Sequence, residues 1–243
     1  VEDTVKVLQN FYDCIVLRTF AQSKIEEVAA CADVPVINAL TDAYHPCQIL
    51  ADFLTIVEHG KQLEGLKLTY VGDGNNMANT YLEGGALCGM HVRIASPEGY
   101  EVDPEVFAQC QAAADKYGTG ATLELMRDPV AAVEGADVVL TDTWTSMGDE
   151  AEHDMRVAAF QGYQVNAELM AHAAEGALFM HCLPAHRGEE VTDEVMRAPY
   201  SVIYDEAGNR LHAQKAVMSL LMGVPAPAAA LEAAEAVAGR WHA

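Results

Sequence analysis

Basic residues are scarce in this 243-residue chain: 14 Lys and Arg stand against 36 Asp and Glu, for a formal charge of -22. Such a charge argues against nucleic acid or an anionic membrane as a partner, and any bound phosphate must be held by a local cationic pocket. The acidity otherwise reads as a solvating surface. No apolar run approaches the roughly 20 residues that span a bilayer, and the opening Val1-Glu-Asp-Thr-Val-Lys6 has neither a basic nor an apolar export region. The six cysteines form no C-x-x-C pair and no zinc-type Cys/His spacing, so neither a disulfide framework nor a structural metal is indicated. A reducing cytoplasm fits that usage. G-x-G-x-x-G is also missing, which argues against a dinucleotide cofactor.

What the chain does have is 51% hydrophobic residues, enough for a sizeable core. Short apolar runs alternate with helical patterns. Strands are expected over 14–20, 35–40, 66–72, 91–95, 122–126, 137–141, 177–180 and 201–204. Helices are expected over 24–31, 47–59, 76–88, 104–117, 129–134 and 193–197, with further helix between 154 and 173. That alternation predicts an α/β protein with doubly wound parallel sheets. The segment 209–221 reads as a connector between two lobes, and the Pro/Ala and Ala/Glu stretch after Gly223 as an appended tail.

Polar clusters sit where predicted strands end, the edge at which an open α/β sheet presents reactive groups. Asp73-Gly-Asn-Asn76 closes one strand and opens a helix, so it reads either as an N-cap with its turn or as a ligand-carboxylate site. Gly74 and Gly148 would let backbone approach a ligand. Asp142, at another strand end, is suited to an ammonium group or to a helix cap. In Phe179-Met-His-Cys-Leu-Pro184 the alternation of an extended strand points His181 away from Cys182, which disfavours a Cys–His dyad. Pro184 favours an extended Leu183 with a free carbonyl. Arg18, His45, Gln48 and Arg210 are the scarce cationic and amide groups at such edges, fitting oxyanion or phosphate recognition as well as surface ion pairs. His186, Arg187, Glu189 and Glu190 read as a mobile polar loop rather than a catalytic set.

With these residues in view, the chain resembles the ornithine carbamoyltransferases. The likeness rests on H-P-C-Q (His45 to Gln48), D-G-N-N (Asp73 to Asn76), D-x-W-x-S-M-G (Asp142 to Gly148), H-C-L-P (His181 to Pro184) and N-R-L-H (Asn209 to His212), in the family's order. The resemblance implies transfer of a carbamoyl group from carbamoyl phosphate to the side-chain amine of ornithine, with no metal or organic cofactor; the alternatives are a carbamoyltransferase for another amine or amino acid, or a truncated, non-catalytic amino-acid-binding subunit. It assigns Arg18, His45, Gln48, Cys182, Leu183 and Arg210 to carbamoyl phosphate, and Asn76, Asp142, Ser146, Met147 and Cys182 to ornithine. His45, Arg18, Cys182 and Asp142 are the expected catalytic set, with Cys182 positioning substrate rather than attacking it. The expected partners beyond substrates are further copies of the chain, as a trimer or a multiple of one.

The resemblance also implies a division into part of a carbamoyl-phosphate-binding domain at 1–58, an ornithine-binding domain at 59–205, a helix packing back on the first domain at 206–223 and a tail at 224–243. The family's Ser-Thr-Arg-Thr motif is absent from the sequence. The expectation is therefore an incomplete first lobe, lacking its first strands and phosphate cradle. Gly208 stands where a second acid is expected in Asp205-Glu-Ala-x-Asn-Arg210.

Overall fold

Short apolar strands followed by amphipathic helices leave parallel pairing as the way to bury both sheet faces. The computed structural model describes residues 1–145 and 150–224, so the predicted Ser146, Met147 and Gly148 and nearly all of the tail lie outside the described residues. The first lobe holds α1 (Glu2–Leu8), β1 (Ile15–Arg18), α2 (Gln22–Cys31), β2 (Val36–Leu40) and α3 (Pro46–Glu58), with β1 and β2 forming a two-stranded parallel sheet. Pro46 opens α3, where its missing N–H costs nothing.

The second lobe runs β3 (Lys67–Val71), α4 (Asn76–Cys88), β4 (His91–Ala95), α5 (Pro104–Tyr117), β5 (Thr122–Met126), α6 (Pro129–Val133) and β6 (Val138–Thr141). After a short 3-10 turn come α7 (His153–Ala159), α8 (Ala167–Met170), β7 (Leu178–His181), α9 (Asp193–Met196) and α10 (Ile203–Leu221). The five strands are parallel in the order β5-β4-β3-β6-β7. The winding reverses between β3 and β6, and the carboxyl ends of strands at such a switch point are where ligands bind in sheets of this kind.

Alternation along the strands builds a core on each face. Leu68, Tyr70, Val138 and Leu140 pack with α3 and α4 residues on one side, while Val71, Val139 and Phe179 meet residues of α6, α8 and α9 on the other. Gly84 makes the first layer tight: a Cβ there would lie 2.5 Å from Ile49 Cδ1. Helix α10 returns to pack along α3, fixed by Asn209, whose amide donates to Thr55 Oγ1 at 2.9 Å and Glu58 Oε2 at 2.7 Å.

One expectation fails here. The strand predicted over 201–204 is reduced to a bridge between Ser201 and Phe179, and Ile203 already opens α10. Val202 and Ile203 are apolar because they are buried, and a run this short does not distinguish a strand from a buried helix start. Among the described residues no helix is long and apolar enough to cross a membrane.

Candidate active site

Two groups of predicted residues assemble at the strand ends. The first gathers around the start of α3. His45 caps that helix and is 7% exposed, with its backbone N–H donating to Thr80 Oγ1 at 2.9 Å. From α10, Arg210 Nη1 donates to Gln48 Oε1 and faces His45 Nε2 at 3.4 Å. Burial, then the charges of Arg210 and Arg18, push the His45 pKa down to about 4, so the ring is neutral near pH 7. A neutral imidazole has one N–H to give. With Nε2 facing a guanidinium donor, that hydrogen falls on Nδ1, which is buried and has no hydrogen-bond partner among the described residues. Arg18 ends β1 with an exposed side chain.

The second group joins the tips of β3, β6 and β7. Asp142 Oδ1 accepts the Thr143 backbone N–H at 2.8 Å and the Cys182 thiol at 3.2 Å, and its Oδ2 accepts the Asn75 amide at 3.2 Å. Asn75 also caps α4 by accepting from the N–H groups of Met77 and Ala78. Burial, then Asp142, hold the Cys182 thiol well above its ordinary pKa, so it is a neutral donor rather than a thiolate. His181, expected to point away from Cys182, is buried beside it, with a ring nitrogen within 4.8 Å of the Asp142 carboxylate and Cys182 Sγ, but it makes its hydrogen bonds elsewhere. It accepts the Leu183 N–H at Nδ1 (2.9 Å), which leaves Nε2–H to donate to buried Glu190 at 3.1 Å.

Several readings need correction. Leu183 is not extended: its φ is 59°, in the left-handed region, and the Leu183–Pro184 peptide is cis. The His186–Glu190 stretch is not simply a polar loop but is anchored to the core, since Glu190 is fully buried and also accepts the His186 N–H. Gly74 serves the protein's own backbone, because a Cβ there would sit 2.3 Å from Val102 N. The Asn76 amide donates to the Thr41 carbonyl at 3.0 Å, tying the start of α4 to the end of β2.

Sequence reasoning passed over four contributors. Arg156 pairs with Asp73 at 2.8 Å and donates to the Trp144 carbonyl at 3.2 Å, fixing the turns after β3 and β6. Asp52, Tyr81 and Glu206 lie buried between the two groups. Helical spacing was the available signal, since Asp52 follows Gln48 by four residues and Glu206 precedes Arg210 by four.

Comparison with known proteins gives this geometry its relatives. Residues 1–58 match the family described as aspartate/ornithine carbamoyltransferase, carbamoyl-P binding domain, and residues 64–221 its Asp/Orn binding domain. The chain is 56% identical to an ornithine carbamoyltransferase of Symbiobacterium thermophilum over 222 residues, 91% of this chain and 71% of that protein. It is 55% identical to that of Carboxydothermus hydrogenoformans, across 92% of this chain and 71% of the relative. The Pyrococcus furiosus ornithine carbamoyltransferase structure superposes with a TM-score of 0.87 at 49% identity, over 93% of this chain and 71% of that one. The Gloeobacter violaceus structure gives 0.84 at 52% identity, over 91% and 74%.

Proposed function

The chain belongs to the aspartate/ornithine carbamoyltransferase family, and from that premise we propose that it transfers the carbamoyl group of carbamoyl phosphate to the side-chain amine of L-ornithine, giving L-citrulline and phosphate. The observation that carries this reading is the pairing of two chemically distinct groups at the strand ends. One is cationic and amide-rich (His45, Gln48, Arg210), and the other presents a carboxylate beside a neutral thiol (Asp142, Cys182).

In this reading Arg18, His45, Gln48 and Arg210 receive carbamoyl phosphate, with Cys182 and the Leu183 carbonyl beside the carbamoyl group. Asp142 receives the α-ammonium of ornithine, and Asn76, Ser146 and Met147 complete its pocket. A side-chain amine of lysine type has a pKa of about 10.4, so freeing its lone pair at pH 7 costs roughly 4–5 kcal/mol. The site must therefore favour the neutral amine. Attack on the carbamoyl carbon builds an oxyanion, which the neutral His45 N–H and Arg18 stabilise while arginine holds the departing phosphate. A raised thiol pKa supports Cys182 as a positioning donor, because an unionised thiol is a poor nucleophile.

The division at 1–58, 59–205 and 206–223 is part of the same proposal, as are a homo-oligomer built on trimers and a cytoplasmic location. Thermal melts test the substrate assignment. Ornithine, or a phosphonoacetyl-ornithine bisubstrate analogue, raises the melting temperature more than NAD or ATP does. Equal shifts for all of them overturn it.

A further inference from the structure

Between the two groups lies a pair of acids that the mechanism above does not use. Asp52, on α3, and Glu206, on α10, are both 0% exposed. Both carboxyl groups converge on one donor, the Gln48 amide nitrogen, and two buried carboxyls held this close favour sharing one proton over carrying two charges. Each is also held from the surrounding elements. The Gln48 amide donates to Asp52 Oδ1 at 2.8 Å and reaches Glu206 Oε1 at 3.4 Å. Tyr81, on α4, donates its hydroxyl to Asp52 Oδ2 at 2.6 Å, and the His181 backbone N–H at the end of β7 donates to Glu206 Oε2 at 2.9 Å.

These bonds run in series. With its amide nitrogen held by the acids, Gln48 turns its oxygen to Arg210, which in turn faces His45. The same acids reach the β7 tip that presents Cys182. We propose that Asp52 and Glu206 form a one-proton carboxyl pair that positions Gln48 and Arg210 for carbamoyl phosphate and couples them to the strand end carrying Cys182. Both are positioning residues, since they act through Gln48, Arg210 and the His181 backbone. The inference rests on the functional reading above and deepens it.

Burial, then the neighbouring Asp52, raises Glu206 well above the ordinary carboxylate range, which assigns the shared proton to Glu206. The ionisable groups facing the pair are Arg210 from α10, Tyr81 from α4, Cys182 beyond β7 and Asp142 beyond β6. Arg210 is the cation among them, and it favours one net negative charge. Two negative charges would repel each other and Asp142. Loss of the proton at alkaline pH should therefore release Gln48.

Infrared spectroscopy and NMR on the full chain test the pair without relying on turnover. At neutral pH the unsubstituted protein should show a protonated-carboxyl carbonyl band that Glu206→Gln removes. The Gln48 side-chain amide signal, assigned by its loss in Gln48→Ala, should be protected from solvent exchange. Glu206→Ala should expose it, whereas Glu206→Gln, which puts a fixed N–H in place of the shared proton, should restore protection and hold it to higher pH than the parent. In the chain joined to a family first-lobe segment carrying Ser-Thr-Arg-Thr, calorimetric affinity for carbamoyl phosphate should fall about tenfold in Glu206→Ala, the loss of one hydrogen bond to a charged group, and recover in Glu206→Gln. Absence of the band, or a Gln variant as exposed as the Ala variant, overturns the pair. Band and protection intact, with no carbamoyl phosphate binding even by the chain joined to a family first-lobe segment carrying Ser-Thr-Arg-Thr, count against the functional reading instead.

Discussion

The Cys182 thiol donates to Asp142 Oδ1 at 3.2 Å, joining the tips of β7 and β6 across 40 positions of sequence. Since Asp142 also accepts from Asn75 and Thr143, its carboxylate is held by three donors. An amide in its place loses the charge and sets an N–H₂ against a neighbouring donor. Asp142→Asn should therefore raise the ornithine KM by tenfold or more, on the order of the 1.5–3 kcal/mol of a charged hydrogen bond, and leave the carbamoyl phosphate KM within about twofold. Steady-state kinetics in an active form of the enzyme, with each substrate varied, check this. Unchanged ornithine kinetics would remove Asp142 from the site.

A pH dependence follows from His45. Its folded pKa, about 4, lies below the ordinary 6.5, so between these values the unfolded chain binds the proton that the folded one refuses. The contribution is complete above pH 6.5 and is lost as pH falls towards 4, about 3 kcal/mol in all. Asp52 has the opposite sign. Burial raises it to about 6, so stability falls as pH rises from about 4 to 6. The two partly cancel in the parent protein. His45→Asn should expose the Asp52 slope, making the variant lose stability relative to its own maximum as pH rises through this window. Denaturant melts at closely spaced pH values check the sign, and parallel curves for parent and variant would overturn it.

Much of this architecture is legible because each element is signalled locally. Asn76–Cys88 and Pro104–Tyr117 carry helical spacing between caps and left-handed glycines, and the β3 and β6 runs are apolar because both of their faces are buried. The site is legible only in part. Strand ends identify Asp142 and Cys182, but nothing local states that they touch. The Asp73–Asn76 cluster reads as either a cap with its turn or a ligand-carboxylate site, and nothing in it shows that Asp73 pairs with Arg156, 83 positions away. Long-range pairing of polar groups has no periodicity to reveal it: four-residue spacing ties Asp52 to Gln48 and Glu206 to Arg210, but nothing local brings the two acids together. The short run Ser201–Tyr204 failed for another reason, since burial and strand formation select the same side chains.

The glycines divide into one that the fold requires and one that it tolerates. At Gly74 a Cβ would meet the Val102 nitrogen at 2.3 Å and the Glu101 carbonyl carbon at 2.4 Å, and backbone does not yield as a side-chain tip does. Gly74→Ala should cost about 2–3 kcal/mol through overpacking. Gly208 is exposed inside α10, and a Cβ there meets nothing within 4 Å. Gly208→Ala should stabilise the chain by about 0.5–1 kcal/mol by limiting the unfolded state and favouring helix. Chemical denaturation of both variants checks the pair. A neutral Gly74→Ala would show that the Asp73–Asn76 turn adapts more freely than this packing allows.

The last prediction concerns catalysis by these 243 residues. The chain spans 71% of the Symbiobacterium and Carboxydothermus relatives and contains no Ser-Thr-Arg-Thr sequence. The groups proposed to receive the phosphate are Arg18, neutral His45, Gln48 and Arg210, and Arg210 already donates to Gln48. A formal charge of -22 repels a dianionic donor. Each charge-assisted hydrogen bond missing from the phosphate costs on the order of 1.5–3 kcal/mol, and together they weaken both donor binding and oxyanion stabilisation by orders of magnitude. The β1–β2 sheet also leaves Val16 56% and nearby Phe20 76% exposed, which favours association of the isolated chain. The purified 243 residues should show negligible citrulline synthesis. Joining a family first-lobe segment carrying Ser-Thr-Arg-Thr ahead of Val1 should recover it. A colorimetric citrulline assay on both forms decides the matter, and turnover by the 243 residues alone comparable to a full-length relative would show that the groups described here suffice.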